Sequence, residues 1–143
     1  MRLRFLNSAL NNAKAAGLLT LTPNEFLLDY ERKSQSRRFD VVDPLISANA
    51  VFWFNDGSYR GKDAIRDAFE KTWSLGIQDE SYWLDNIEWI VDEEGVAACT
   101  YLFHWKGRIK GELKTLGEGR GTCVIKKESE DWKIIHEHLS RVP

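Results

Sequence analysis

The sequence predicts one α+β domain, with helices first and strands after, on three observations. Apolar residues recur at helical spacing in the first half, the period becomes extended from Ser81 onward, and short acidic turns join the later strand-like runs. Its 143 residues suit a single domain. With 43% hydrophobic residues, six Trp and seven Phe, the body can bury a core and is not disordered.

The elements follow in order. Leu3, Leu6, Leu10 and Ala13 sit at helical spacing and predict an N-terminal helical extension over residues 1–22. The first acidic residue is Glu25, a composition shared with organelle transit peptides, but the packing helix is the reading preferred. Thr22-Pro23-Asn24-Glu25 writes a helix start, with Thr22 as N-cap, Pro23 at the first helical position and Glu25 closing a capping box. Phe26, Leu27 and Tyr30 form its apolar face. A second apolar set, Phe39, Val41, Val42, Leu45 and Ile46, predicts a long helix broken near Arg38. Ala50 to Phe54 is a β-rich run, turned by Asn55-Asp56-Gly57 into a small hairpin. Ile65, Phe69 and Trp73 recur at steps of four on an amphipathic helix that Gly76 terminates. Strands are expected near Tyr82–Val91, Val96–Lys106, Leu113–Lys127 and Trp132–Ser140, as an antiparallel meander. Helices on one face of such a curved sheet enclose a cone whose mouth is the default ligand pocket.

Charge and motifs exclude several functions. Lys+Arg 20 against Asp+Glu 22 lacks the basic field of a nucleic-acid binder. No apolar run reaches the roughly 18–20 residues that span a bilayer. Asn7, Asn11, Asn12 and Lys14 interrupt any secretory apolar segment. Cys99 and Cys123 lie in apolar strand-like runs without a CxxC, so buried free thiols in a reducing, cytoplasmic compartment are expected. The common nucleotide, α/β-hydrolase and zincin motifs are missing. His136 and His138 share a strand face that Glu137 does not, so no metal site is expected, and no cofactor is called for.

The most specific strings are Gly119-Arg120-Gly121-Thr122-Cys123-Val124-Ile125 and Trp132-Lys133-Ile134-Ile135-His136-Glu137-His138-Leu139-Ser140. Together they closely resemble the closing hairpin of SnoaL-like proteins in the nuclear transport factor 2-like superfamily, which includes ketosteroid isomerase, polyketide cyclases and the calcium/calmodulin-dependent kinase association domain. Asp56-Gly57, followed by Tyr59-Arg60-Gly61-Lys62-Asp63-Ala64-Ile65 opening a helix, agrees with that order, and the resemblance covers about residues 24–140. It implies a cystatin-like, nuclear transport factor 2-like cone over residues 23–143, dimerising through the outer face of its sheet. One reaction is not implied, because this fold hosts isomerases, cyclases, dehydratases and noncatalytic assembly modules.

Candidate site residues follow from the resemblance and from strand parity. Tyr30 stands at a distance from Ala50 similar to that of the isomerase's oxyanion-hole tyrosine, and its phenol can donate to a ligand carbonyl. The isomerase's carboxylates have no clear counterpart: Phe54 occupies the base position and Thr122 that of the second acid, while Asp56 falls two residues beyond, in the turn. Arg120, on one strand face with Thr122 and Val124, is a candidate pocket arginine that would grip a carboxylate with two prongs. Glu137, if carried inward with Ile135 and Leu139, is a candidate acid or base, or the partner of Arg120. Trp53, Tyr101, Phe103 and Trp105 are candidate aromatic walls.

Two functions are therefore expected. One is a homodimeric small-molecule binder or enzyme of isomerase, cyclase or lyase type, acting on a carbonyl or carboxylate compound, with Tyr30, Asp56 and Glu137 as catalytic candidates. The other is a noncatalytic oligomerisation or ligand-sensing module.

Overall fold

Thr22 begins the fold as its sequence dictates. The computed structural model describes residues 20–142, so the expected N-terminal extension lies almost wholly outside the described residues. Thr22 Oγ1 accepts from the Glu25 backbone at 3.2 Å and Glu25 Oε1 accepts from the Thr22 backbone at 3.0 Å, closing the box at the start of α1 (Pro23–Ser34). Its buried face is Phe26, Leu27 and Tyr30. Trp132 Nε1, donating to the Leu21 carbonyl at 2.9 Å, ties this start to the last strand.

The second helical set is shorter than expected. α2 (Phe39–Val42) makes one turn, a 3-10 turn follows (Asp43–Leu45), and Ile46 opens β1 (Ile46–Phe54) rather than extending a helix. Pro44 offers no N–H to an α-helical ladder and its ring blocks the preceding turn, which ends the helix there. β2 (Gly57–Arg60) returns antiparallel to β1. Gly61, at φ 83° where a side chain is disfavoured, turns the chain into α3 (Lys62–Trp73). That helix ends three residues before Gly76, which instead turns the chain, at φ 72°, toward β3. Phe69 of α3 packs against Phe39, Phe52, Phe54 and Trp73 with ring centroids 5.3–6.4 Å apart.

The long strands are β3 (Gln78–Glu93), β4 (Val96–Ile109), β5 (Glu112–Glu128) and β6 (Asp131–Arg141). β4 and β5 run beyond the expected ends because Lys110-Gly111 takes the tight turn that places Ile109 opposite Glu112. The six strands are ordered β2-β1-β6-β5-β4-β3. β3 to β6 form the expected meander, but β1 lies parallel to β6, so the sheet is mixed rather than wholly antiparallel. Laying β1 beside the last strand closes the sheet over the helices with Ile46, Ala50, Phe52, Ile125 and Ile134 at the core. Cys99 and Cys123 are directly opposite on β4 and β5, buried and unpaired, and burial pushes the Cys99 thiol up to about 12. No described helix is long and apolar enough to cross a membrane.

Candidate functional site

Strict alternation on β6 would turn Glu137 outward once Ile134 faces the core. The pairing with β5 passes from Ile125↔Ile134 to Val124↔His136, so Ile135 is an extra, bulged residue. Beyond it the inward set becomes Glu137 and Leu139, and Glu137 is 1% exposed. The expected inward trio is thus corrected: Ile134, not Ile135, is the fully buried residue.

Two phenols meet the Glu137 carboxyl. Tyr30 Oη donates to Oε1 at 2.9 Å from α1, and Tyr101 Oη donates to Oε2 at 2.5 Å from β4. Burial drives Glu137 up to about 7, against the opposing pull of the hydrogen bonds from Tyr101 and then Tyr30. The tyrosines are pushed well above their ordinary value, first by burial and then by the negative charge of Glu137, so both remain donors. Near neutrality the carboxyl therefore holds or releases a proton while its two oxygens stay fixed.

This group forms part of the wall of a cavity of about 330 Å³ between α1, α3 and the inner face of the sheet. Phe54, Phe69, Trp73, Tyr82, Phe103 and Trp105 supply its aromatic surface. Tyr82 hydroxyl has no hydrogen-bond partner among the described residues, and Glu80 and Ser34 line the same space. Asp56 and exposed Arg141 stand on the rim, and Asp56 accepts from Tyr59 Oη at 2.9 Å.

The structure brings Tyr30, Phe103, Trp105, Asp56 and Glu137 to the cavity, and Tyr101 behind Glu137. Three expected pocket residues lie elsewhere. Arg120 is exposed and Thr122 half-buried on the outer side of β5, because Gly119, Gly121, Cys123 and Ile125 take its buried positions. Alternation leaves Arg120 no route inward. The reason for the glycine beside it is steric: a Cβ on Gly121 would lie 2.2 Å from the Tyr101 ring. Trp53 is 44% exposed on the outer face, with its ring edge-on to His136 at 5.0 Å and His138 at 5.4 Å. His136 Nδ1 lies 2.7 Å from the Val51 carbonyl. Among the described residues no group of three or more His, Cys, Asp or Glu is placed to hold a metal ion.

Tyr82, Glu80 and Trp73 were absent from the residues expected at the site. Glu80 and Tyr82 alternate with Ser81 at the start of β3, but that strand begins in polar sequence, so its inner face carries no hydrophobic signal.

Known proteins share this architecture. A nuclear transport factor 2-like superfamily protein from Salmonella enterica serovar Typhimurium is similar over 83% of this chain and 87% of its own, at 20% identity and a TM-score of 0.73. A protein with a cystatin-like fold from Nostoc punctiforme matches 87% of this chain and 96% of its own, at 13% identity and a TM-score of 0.71. A provisionally named scytalone dehydratase from Novosphingobium aromaticivorans matches 96% of this chain and 89% of its own, at 16% identity and a TM-score of 0.70. No curated protein matches the sequence. Residues 24–143 match the SnoaL-like domain, so the resemblance read from the closing hairpin holds and the chain belongs to the SnoaL-like family, in a nuclear transport factor 2-like, cystatin-like fold.

Proposed function

We propose that the protein binds a small, neutral, ring-containing carbonyl compound and transfers a proton on it, with Glu137 as the acid–base group. The observation that carries this reading is a nearly inaccessible carboxyl, fixed by Tyr30 and Tyr101, in the wall of an aromatic cavity. A carboxylate ligand loses its expected anchor with Arg120 outside, and it would meet Glu137 and Glu80 within the cavity walls. Tyr30 is engaged by Glu137, so the phenol left for the ligand is Tyr82.

In this reading the Glu137 carboxylate takes a proton from the carbon beside the carbonyl. The C–H electron pair moves into the new C=C bond, and the carbonyl π pair passes to oxygen, where the Tyr82 hydroxyl stabilises the enolate. Where the substrate carries a C=C β,γ to the carbonyl, the carbonyl re-forms as the dienolate takes the proton from Glu137 at its γ carbon, completing an isomerisation. Where the β carbon carries a hydroxyl, the enolate electrons form the α,β C=C and expel that hydroxyl, which leaves with the Glu137 proton as water. The dehydratase name of the Novosphingobium neighbour supports this class of reaction.

The test is proton exchange on bound ketones. 2-Acetonaphthone and 2-indanone are incubated with the protein in D2O, and NMR follows loss of the protons beside the carbonyl. Catalysed exchange is expected, falling by roughly a hundredfold in Glu137→Gln and about tenfold in Tyr82→Phe. Binding without exchange would favour a ligand-sensing module instead.

A further inference from the structure

We propose that Glu80 and Ser34 form a second polar pole of the cavity, one that takes a hydrogen-bond-donating hydroxyl on the ligand and so selects hydroxylated ring compounds. The proposal rests on the carbonyl-binding reading above and names the substituent that the same cavity selects.

Glu80 is held as a recognition group would be. Its side chain is 13% exposed, Trp105 Nε1 donates to its Oε1 at 3.0 Å, and Arg37 Nη2 lies 3.8 Å from its Oε2. Arg37 is itself braced, donating to the Trp73 carbonyl at 2.6 Å and the Ile77 carbonyl at 3.2 Å. It reaches them from a left-handed backbone at φ 59°, a conformation that costs a non-glycine residue energy and persists where its surroundings enforce it. The pair leaves one face unfinished. Glu80 Oε2 is shielded and makes no hydrogen bond, since 3.8 Å is an ion-pair separation too long for one. Ser34 Oγ, four residues beyond Tyr30 on α1, is likewise shielded without a partner, and both residues line the cavity.

Buried polar atoms in folded proteins are nearly always satisfied, so two oxygens without a hydrogen bond, on residues that line one cavity, ask for a donor. A carboxylate oxygen only accepts, whereas a serine hydroxyl does both, and a ligand hydroxyl complements the two together. A ligand cation is disfavoured by Arg37, and an anion by Glu80 itself. The pole is distinct from the proton-transfer end. Glu80 lies on β3 and Glu137 on β6, and the sheet register carries Glu137 across Cys123 and Cys99 to Trp89, nine residues along β3 from Glu80. Tyr82, two residues after Glu80, lines the same cavity. The geometry describes a rigid ring system with a carbonyl toward Glu137 and Tyr82 and a hydroxyl toward Glu80.

The test compares 2-acetonaphthone, 6-hydroxy-2-acetonaphthone and 6-methoxy-2-acetonaphthone by calorimetry at about pH 6, below the usual phenolic range, so that the naphthol is neutral. The methoxy group accepts but cannot donate. In the unaltered protein the hydroxy ketone should bind roughly tenfold more tightly than the methoxy ketone, as expected for a hydrogen bond to a charged group. Glu80→Gln keeps an oxygen for Trp105 and turns an amide NH2 toward the empty position, so the preference for the hydroxy over the methoxy ketone should vanish or reverse. Ser34→Ala should shrink the preference several-fold, and it decides the question if Glu80→Gln does not fold. Equal binding of the hydroxy and methoxy ketones, or a preference that survives Glu80→Gln, overturns the second pole while leaving the carbonyl site standing. If none of the three ketones binds, the carbonyl-site reading falls and this one with it.

Discussion

Ile134 and Glu137, three positions apart on β6, are both buried on the inner side of the sheet. Only the extra residue at Ile135 permits it, since a regular strand would send one of the pair to the outer face. One hydrophobic anchor and one carboxyl thus enter the core from a single strand, and the rest of the site is arranged around the second.

Stability should fall as pH rises from about 4.5 to about 7. The folded protein holds the Glu137 proton up to about pH 7, whereas an unfolded glutamate releases it near 4.5. The contribution is therefore complete below about pH 4.5, declines between there and pH 7, and is flat above. The difference amounts to roughly 3 kcal/mol, to order of magnitude. Denaturant unfolding across this range should show the decline in the unaltered protein and its loss in Glu137→Gln. Tyr101→Phe removes a donor to the charged form, so its decline should extend to higher pH.

Gly121→Ala should damage the site from outside the cavity. Its new methyl would lie 2.2 Å from Cε2 and 2.7 Å from Cζ of Tyr101, displacing the ring that holds Glu137. A loss of about 1–3 kcal/mol is expected from overpacking. The same change in a Tyr101→Ala background should cost far less, and a double-mutant cycle measures that difference. Additive losses would mean that the glycine serves the backbone rather than the tyrosine.

We propose that two copies of the chain pair through the outer face of the sheet. Trp53 is 44% exposed there beside His136 and His138, and half-buried Leu102 and Val124 continue the surface on the neighbouring strands. Sedimentation velocity at tens of micromolar, an order-of-magnitude concentration for ordinary interfaces, should find a dimer. Trp53→Glu should give a folded monomer. A monomeric unaltered protein would remove the idea.

Local rules made much of the fold legible. The Thr22–Glu25 capping box, the apolar face of α1, the Asn55-Asp56-Gly57 turn and the four long strands depend on short-range geometry and periodicity, and the structure has each of them. The misplaced pieces are those where distant chain intervenes. Ile46 follows a helical spacing but pairs with Ile134, eighty-eight positions away, as the first residue of a strand. Arg120 looked like a pocket residue because it is polar and flanked by glycines, whereas Gly121 is small to admit a ring from the next strand.

From its sequence alone this protein was determined to be an α+β chain with a SnoaL-like closing hairpin and Glu137 among its candidate acids. Tertiary structure decided which face Glu137 takes, because a bulge is a property of two strands in register and leaves no mark in the periodicity of either. It also decided that Tyr30 and Tyr101, one on a helix and one on a strand, converge on that carboxyl. Burial, which no single residue carries, then turned an ordinary glutamate into a group that titrates near neutrality.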